Sequence, residues 1–450
     1  MRISDTVGFF ESNPDITHLD AIFMDVNGMP RGKRLDRLDA EAIWKAGLTI
    51  PLSVHGLDVT GHCPDALGRG FSDGDPDGVA RPIDGTLFRK GWSTDAGAAV
   101  LMQVESPPSA AFAMDPRVIL SRLAAAFHAD TGYRTAQAVE LEFYLVDGSR
   151  DASGYPQPPV SPLTGKPELT GQTYGLDDLD TFSKFLVQIR QACKAAGIPA
   201  SCATKEYSPG QFEINLRHQD NICSAADHGV LLRHIVRCVA RDHGFQATFM
   251  AKPYSERAGS GMHLHISLLD GSGRNLFDDG SDLGTDFLRR AIGGLQATTS
   301  ESMAFFAPNL NSYRRFAPNR FVPVNRSWGY NNRSVALRVP AGSCSARRIE
   351  HRMAGADANP YLALAAVLAG IWHGLSKDLQ ADKASFGNAC VSSDPSLPMD
   401  LPTAVAALST ARALPAMIDP GYLCFYSALK RSEYERFISN ISMLEYEWYL

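Results

Sequence analysis

Apolar and polar residues alternate with a period of two in five short stretches of this chain, a pattern that predicts strands with one face buried and the other turned toward something else. In Ala138-Val-Glu140-Leu-Glu142-Phe-Tyr-Leu145, Val139, Leu141, Phe143 and Leu145 share one face. Glu140 and Glu142 project from the other, about 6–7 Å apart. Gln211-Phe-Glu213-Ile-Asn-Leu216 repeats the pattern, and Glu206 stands before it across a Ser208-Pro209-Gly210 turn. In Gly259-Ser-Gly261-Met-His263-Leu-His265-Ile-Ser267-Leu268, His263, His265 and Ser267 oppose Leu264, Ile266 and Leu268. Val335 to Val339, with Arg338, and Arg348 to Arg352, with Glu350, complete the set.

Longer periodicities predict helices. Phe182, Phe185, Leu186, Ile189, Cys193 and Ala196 recur at spacings of three and four, so Leu176 to Gly197 reads as one helix closed by a left-handed glycine. A second helix is expected over about Ser224 to Gly244, and a third after Asp115-Pro116 through Val118 to Phe127. Near the start, Asp20 to Val26 reads as a strand that turns at Asn27-Gly28 and returns through Arg31 to Leu35. The first hundred residues therefore look like a small sheet-rich module. Turn chemistry at Asp73 to Gly78 and at Ser106-Pro-Pro108 marks its end, giving domains 1–105 and 106–450. The prolines between 156 and 167 are too closely spaced for regular structure.

Composition narrows the function classes. The 450 residues carry 43 Lys+Arg against 49 Asp+Glu, a net charge of −6, with 20% charged and 44% hydrophobic residues. That is ordinary globular usage. Without a basic cluster, nucleic-acid binding is not expected. The apolar run Leu362 to Trp372 falls short of the about 18 residues that span a bilayer, so no membrane segment is expected. The polar N-terminus and the eight scattered cysteines, expected to be reduced and mostly buried, suit the cytoplasm.

The chemistry lies in the polar faces of the five strands. Any half-wet antiparallel strand alternates, but exposed faces usually mix Thr, Lys, Ser and Gln. Here the outward positions are nearly all Glu, His or Arg. Two carboxylates 6 Å apart repel by about 3 kcal/mol at an effective dielectric near 20, and divalent cations would offset that repulsion. Glutamates with one or two imidazoles and no thiol favour Mg²⁺ or Mn²⁺ over structural zinc. Arginines beside such ions hold phosphoryl groups. The residues thus point to metal-dependent phosphoryl chemistry, without naming a substrate. A metal-dependent amidohydrolase is the rival reading, since His263-x-His265 with carboxylates also suits hydrolytic sites. The pair falls late in a chain without a repeating βα pattern, which argues against it. A non-catalytic sensor or structural relative is the other alternative.

These segments, with Lys205-Glu206, Phe249-Met-Ala-Lys252-Pro253, Asn332-Arg333-Ser334 and Arg347-Arg-Ile-Glu350-His-Arg352, resemble in order and spacing the glutamine synthetase family. Val26 to Lys33, Asn311 to Phe316, Trp328 to Arg333 and His351 to Tyr361 look most like its γ-glutamylpolyamine synthetase branch. The resemblance implies an α+β fold: a small β-grasp-like N-terminal domain and a large catalytic domain whose antiparallel strands form an active-site funnel. It also implies ATP as co-substrate, two or more Mg²⁺ or Mn²⁺ ions, and a homo-oligomer, a dodecamer with shared active sites. The implied reaction joins the γ-carboxyl of glutamate to a primary amine through a γ-glutamyl phosphate.

Residue by residue, the resemblance assigns Glu142, Glu206 and Glu213 to one metal and Glu140, His263 and Glu350 to a second. Arg333 and Arg338 match arginines around the transferring phosphoryl group, and Gly259, Arg315 and Arg352 match residues holding glutamate. His265, Ser267, Arg338 and Arg348 match ATP contacts, and Glu206 doubles as the expected proton acceptor. Ammonia-using members carry a glutamate on a flap where this chain has Phe321, and their Asp-Gly-Ser-Ser motif has no clear match around Leu52 to Asp58. An apolar seat would desolvate ammonium unfavourably yet accept an alkyl chain. A primary amine with a carbon tail is therefore the expected second substrate, and the resemblance to the polyamine branch favours a polyamine such as putrescine, with a monoalkylamine, ethanolamine or ammonia as alternatives. Asp58, Asp65 and Asp73 offer rests for a distal ammonium, although each also reads as a solvated loop carboxylate. Asn388 to Pro402 contains no tyrosine, so control by tyrosine adenylylation is not expected.

Overall fold

The computed structural model describes residues 3–92, 95–106 and 112–450. Pro107 and Pro108, which mark the expected domain boundary, lie outside the described residues.

Two sheets organise the chain. The first holds β1 (His18–Met24), β2 (Pro30–Asp36), β3 (Leu48–Pro51), β4 (Asp77–Pro82), β5 (Phe88–Arg89) and β6 (Gly97–Glu105). Its order is β2-β1-β6-β4-β3, with β5 also on β6. The central strands β1 and β6 run parallel, and their other neighbours are antiparallel. The β1–β2 hairpin forms where Asn27-Gly28 predicts it. Gly28 takes φ +67°, and Asp25 Oδ1 accepts 2.9 Å bonds from the Asn27 and Met29 amides.

The second sheet holds β7 (Arg134–Asp147), β8 (Ala200–Lys205), β9 (Gln211–Leu216), β10 (Phe245–Thr248), β11 (Met262–Leu269), β12 (Trp328–Tyr330), β13 (Leu337–Val339) and β14 (Ile349–His351). Its order is β12-β13-β14-β11-β7-β9-β8, with β10 also on β7. All pairs but β12–β13 are antiparallel. Val139, Leu141, Phe143, Phe212, Leu264 and Ile266 lie wholly buried on its apolar face. Helices Ile222–Asp242 and Pro360–Ser376 belong to the same continuous core. The second of these carries the apolar run at 362–372 and packs on helix Asp286–Phe306 through glycines: a methyl group on Gly294 would lie 2.1 Å from the Gly370 carbonyl oxygen. No helix among the described residues is long and apolar enough to cross a membrane.

Three expectations change in detail. The helix expected over 176–197 is two, Leu176–Thr181 and Ser183–Ala195, broken at Phe182. The Phe182 ring is buried against Phe212 and Phe245, whereas residues 176–181 bury nothing, so the two segments answer to different surroundings. The next helix starts at Ile222, two residues earlier than its apolar period suggests, because Asn221 Oδ1 caps the Ser224 amide at 3.0 Å. Only four of the eight cysteines are buried: Cys193, Cys223, Cys238 and Cys390. The segment at 156–167 holds no helix or strand, as expected.

Candidate active site

Strand register, invisible to single-strand periodicity, builds the site. Antiparallel pairing sets Glu140 opposite His263, Glu142 opposite Glu213, and Glu350 opposite both His265 and Arg338. Residues directly opposite share a face, so the polar sides of β7, β9, β11, β13 and β14 converge. They line one cavity of about 840 Å³. Glu140, Glu142, Glu206, Glu213, His263, His265 and Glu350 line it, as do Gly259, Arg315, Phe321, Arg333, Arg338, Arg348 and Arg352. Ser267 does not: its hydroxyl, further along β11, donates to the Arg347 carbonyl at 2.9 Å.

The loops are fixed by buried bonds. Lys205, fully buried, donates from Nζ to the Glu206 and Ser208 carbonyls at 2.8 and 2.7 Å, which holds the turn carrying Glu206. Gln211 Nε2 donates to the Gly259 carbonyl at 3.0 Å, and the Gly261 amide donates to Glu142 Oε2 at 2.9 Å. Gly259 admits no side chain, since a Cβ there would lie 2.8 Å from both the Ala251 carbonyl oxygen and Arg315 Cγ. Arg338 Nη1 donates to Glu350 Oε2 at 2.7 Å, and Arg352 pairs with Glu350 Oε1. Residues 387–392 strap the far rim. There the Ala389 amide donates to Ser334 Oγ at 2.8 Å, the Asn319 amide to the Cys390 carbonyl at 2.9 Å, and Asn325 Nδ2 to the Ala389 carbonyl at 2.6 Å.

Three carboxylates crowd a single imidazole. His263 Nδ1 lies 3.4 Å from Glu140 Oε2 and 4.0 Å from Glu213 Oε2, and its Nε2 lies 3.9 Å from Glu142 Oε1. Burial pushes the Glu213 carboxyl up to about 9, with Glu140, Glu142 and Glu206 adding repulsion. Burial and then Glu142 push Glu206 up to about 7. Burial opposes ionisation of Glu140 too, but His265 and His263 hold it below the usual carboxylate range. Glu350 is likewise held down at about 2, against burial, by His263, Arg352, His265 and Arg338.

The donor set fits divalent cations. Two groups of side chains bring one ligand atom each to within 4.8 Å of one another: Glu140, His265 and Glu350, and Glu140, Glu213 and His263. Arg348 Nε donates to His265 Nδ1 at 3.1 Å, leaving Nε2 facing Glu140 Oε1 at 2.9 Å. With Nδ1 accepting, the imidazole carries its proton on Nε2 and presents it to Glu140 Oε1.

Sequence reasoning passed over Gln211, Asn215, Lys252 and Glu256, which also line the cavity. The first two were within reach, since alternation puts Gln211 and Asn215 on the same face as Glu213. Asn215 Nδ2 donates to Glu213 Oε1 at 3.1 Å. Lys252 and Glu256 sit on an irregular segment where no period operates.

A cleft of this composition on a mixed α+β scaffold suits divalent cations and the phosphoryl groups they neutralise. The sequence profile "Glutamine synthetase, catalytic domain" matches residues 113–449, and the chain belongs to the glutamine synthetase family. It is a ligase of that family, whose members use ATP and divalent metals. It is 38% identical over 98% of its length to gamma-glutamylputrescine synthetase PuuA of Escherichia coli, covering 93% of that protein. It is 33% identical to a glutamate–isopropylamine ligase of a Pseudomonas species, over 84% of this chain and 81% of that one. Its fold matches the solved GmaS structure in complex with ADP, with a TM-score of 0.82, 24% identity and 98% of each chain covered.

Proposed function

We propose that the protein ligates the γ-carboxyl of glutamate to a primary amine with a carbon chain, a polyamine such as putrescine, with hydrolysis of ATP. The observation that carries the ligase reading is the convergence of five glutamates, two imidazoles and the arginines on one cavity. Near full-length similarity to a gamma-glutamylputrescine synthetase favours the polyamine. Phe321, 74% exposed on the cavity wall, adds an apolar surface suited to a methylene chain.

In this reading Gly259, Arg315 and Arg352 hold glutamate, and His265, Arg338 and Arg348 hold ATP. The γ-carboxylate takes the terminal phosphoryl group to give an acyl phosphate, which the amine then attacks with loss of phosphate. Arg333 and Arg338 offset charge on the transferring group, so catalysis is positioning plus electrostatics. Glu206 accepts the proton of the attacking amine. Divalent cations held by Glu140, Glu142, Glu206, Glu213, His263 and Glu350 would supply further neutralisation of phosphoryl oxygens.

The reading extends to a homo-oligomer. Met443, Trp448 and Tyr449 of the last helix, Met443–Tyr449, are 74%, 68% and 78% exposed, an apolar surface that a second copy would cover. Sedimentation of the purified protein checks it, and a monomer would contradict it. The test of function is phosphate release with glutamate and ATP across ammonium, ethylamine, isopropylamine, ethanolamine, putrescine and spermidine. Putrescine or spermidine should give the highest kcat/KM, whereas comparable efficiency with ammonium would remove the apolar-seat argument.

A further inference from the structure

We propose that Glu256 is the specificity residue that receives the distal ammonium of a diamine substrate, an inference that rests on the polyamine reading above. A diamine lying with one nitrogen at the reacting centre must place its second, charged nitrogen against an anion or lose its hydration without return. The acidic loop residues that the sequence offered are engaged elsewhere and do not line the cavity of their own chain. Asp58 accepts from Arg436 Nη1 at 2.7 Å and from the Thr60 and His62 amides, Asp65 bonds Ser72, and Asp73 pairs with Arg69 at 3.2 Å.

Of the carboxylates that do line the cavity, Glu140, Glu142, Glu206, Glu213 and Glu350 belong to the convergent cluster on and beside the strands. Glu256 does not. It stands exposed on the segment between β10 and β11, and no ion pair or hydrogen bond of its side chain is recorded among the described residues. Lys252, on the same segment, is bound through Nζ to the Arg257 carbonyl oxygen. Glu256 and Phe321 line the same cavity, with Lys252, Arg257 and Arg320 also on its wall. Glu256 and Phe321 therefore offer the two things a diamine tail requires: a carboxylate for its ammonium and an apolar surface for its methylenes. The carboxylate's loop is held in place: Tyr144 Oη donates to the Ala258 carbonyl at 2.7 Å, the Ala258 amide donates to Ser208 Oγ at 3.0 Å, and Arg257 stacks 4.2 Å from the Tyr254 ring.

The test compares putrescine with n-butylamine, which has the same chain without the second charge, in wild type, Glu256→Gln and Glu256→Asp. The readout is the ratio of kcat/KM for the two amines, which a partly misfolded preparation cannot move because both amines lose equally. Wild type should favour putrescine. Glu256→Gln should lower the ratio about tenfold, chiefly through KM for putrescine, and Glu256→Asp should restore most of it. A ratio unchanged by Glu256→Gln, or a wild type indifferent to the second ammonium, overturns the assignment while leaving the ligase intact. Formation of no amide with either amine brings down the function proposed above and this inference with it.

Discussion

Two buried charge clusters of the molecule differ in how their charge is balanced. One is closed. Arg117 bonds Asp227 through Nε at 2.9 Å and Nη2 at 3.1 Å, its Nη1 reaches Gln103 at 2.7 Å, and the Tyr361 hydroxyl donates to Asp227 at 2.7 Å. Charge is matched and the donors find acceptors. The other is open. Around His263 the carboxylates of Glu140, Glu142 and Glu213 crowd within 4.0 Å of one imidazole, and burial drives Glu213 and Glu206 toward neutrality. A protein completes a charge cluster when the cluster serves the fold, and leaves it incomplete where a ligand supplies the balance.

The comparison breaks most sharply on Asp227→Asn. That change strands Arg117 and should cost about 3–5 kcal/mol of stability by denaturant unfolding, and a loss below about 1 kcal/mol would mean the closed cluster is not structural. Glu213→Gln should do the reverse. It should reduce kcat/KM for amide formation by about a hundredfold or more, while the metal-free protein melts no lower than wild type at pH 8.

The third prediction concerns pH. Burial and the neighbouring carboxylates push the Glu206 and Glu213 carboxyls up to about 7 and about 9, above the usual carboxylate range. Their contribution to stability is fully present below the unfolded value and is lost as pH rises through the folded ones. The metal-free protein should thus lose stability between pH 5 and pH 9, and saturating Mn²⁺ should flatten that decline. Melting curves with and without metal decide it, and equal slopes would contradict it. Smallest is the strap at the rim. Asn325→Ala removes its bonds to the Ala389 and Ser392 carbonyls and should lower kcat about fivefold with little change in KM for glutamate. An unchanged kcat would make the strap passive.

Why the sequence revealed as much as it did is itself physical. Period-two alternation places Glu140, Glu142, Glu213, His263, His265 and Glu350 on polar strand faces, because a buried face leaves only one direction for the other residues. Alternation could not say which strands are neighbours, so the opposition of Glu142 to Glu213 and of Glu350 to Arg338 came only with the register. Ser267 shares its face with His263 and His265, yet it lies too far along β11 to reach the cavity. Phe182 satisfied the helical period and still broke the helix, since its ring is claimed by Phe212 and Phe245. Glu256 and Lys252 had no periodic signal at all, being placed by loop bonds.

The most direct test of the central claim is calorimetric titration of Mn²⁺ into metal-free protein at pH 7, repeated in buffers of different ionisation enthalpy. The open-cluster account predicts about two ions per chain, with about one proton released as Glu213 gives up its hydrogen, and loss of that release in Glu213→Gln. Binding with no proton release, or no binding at all, would contradict it.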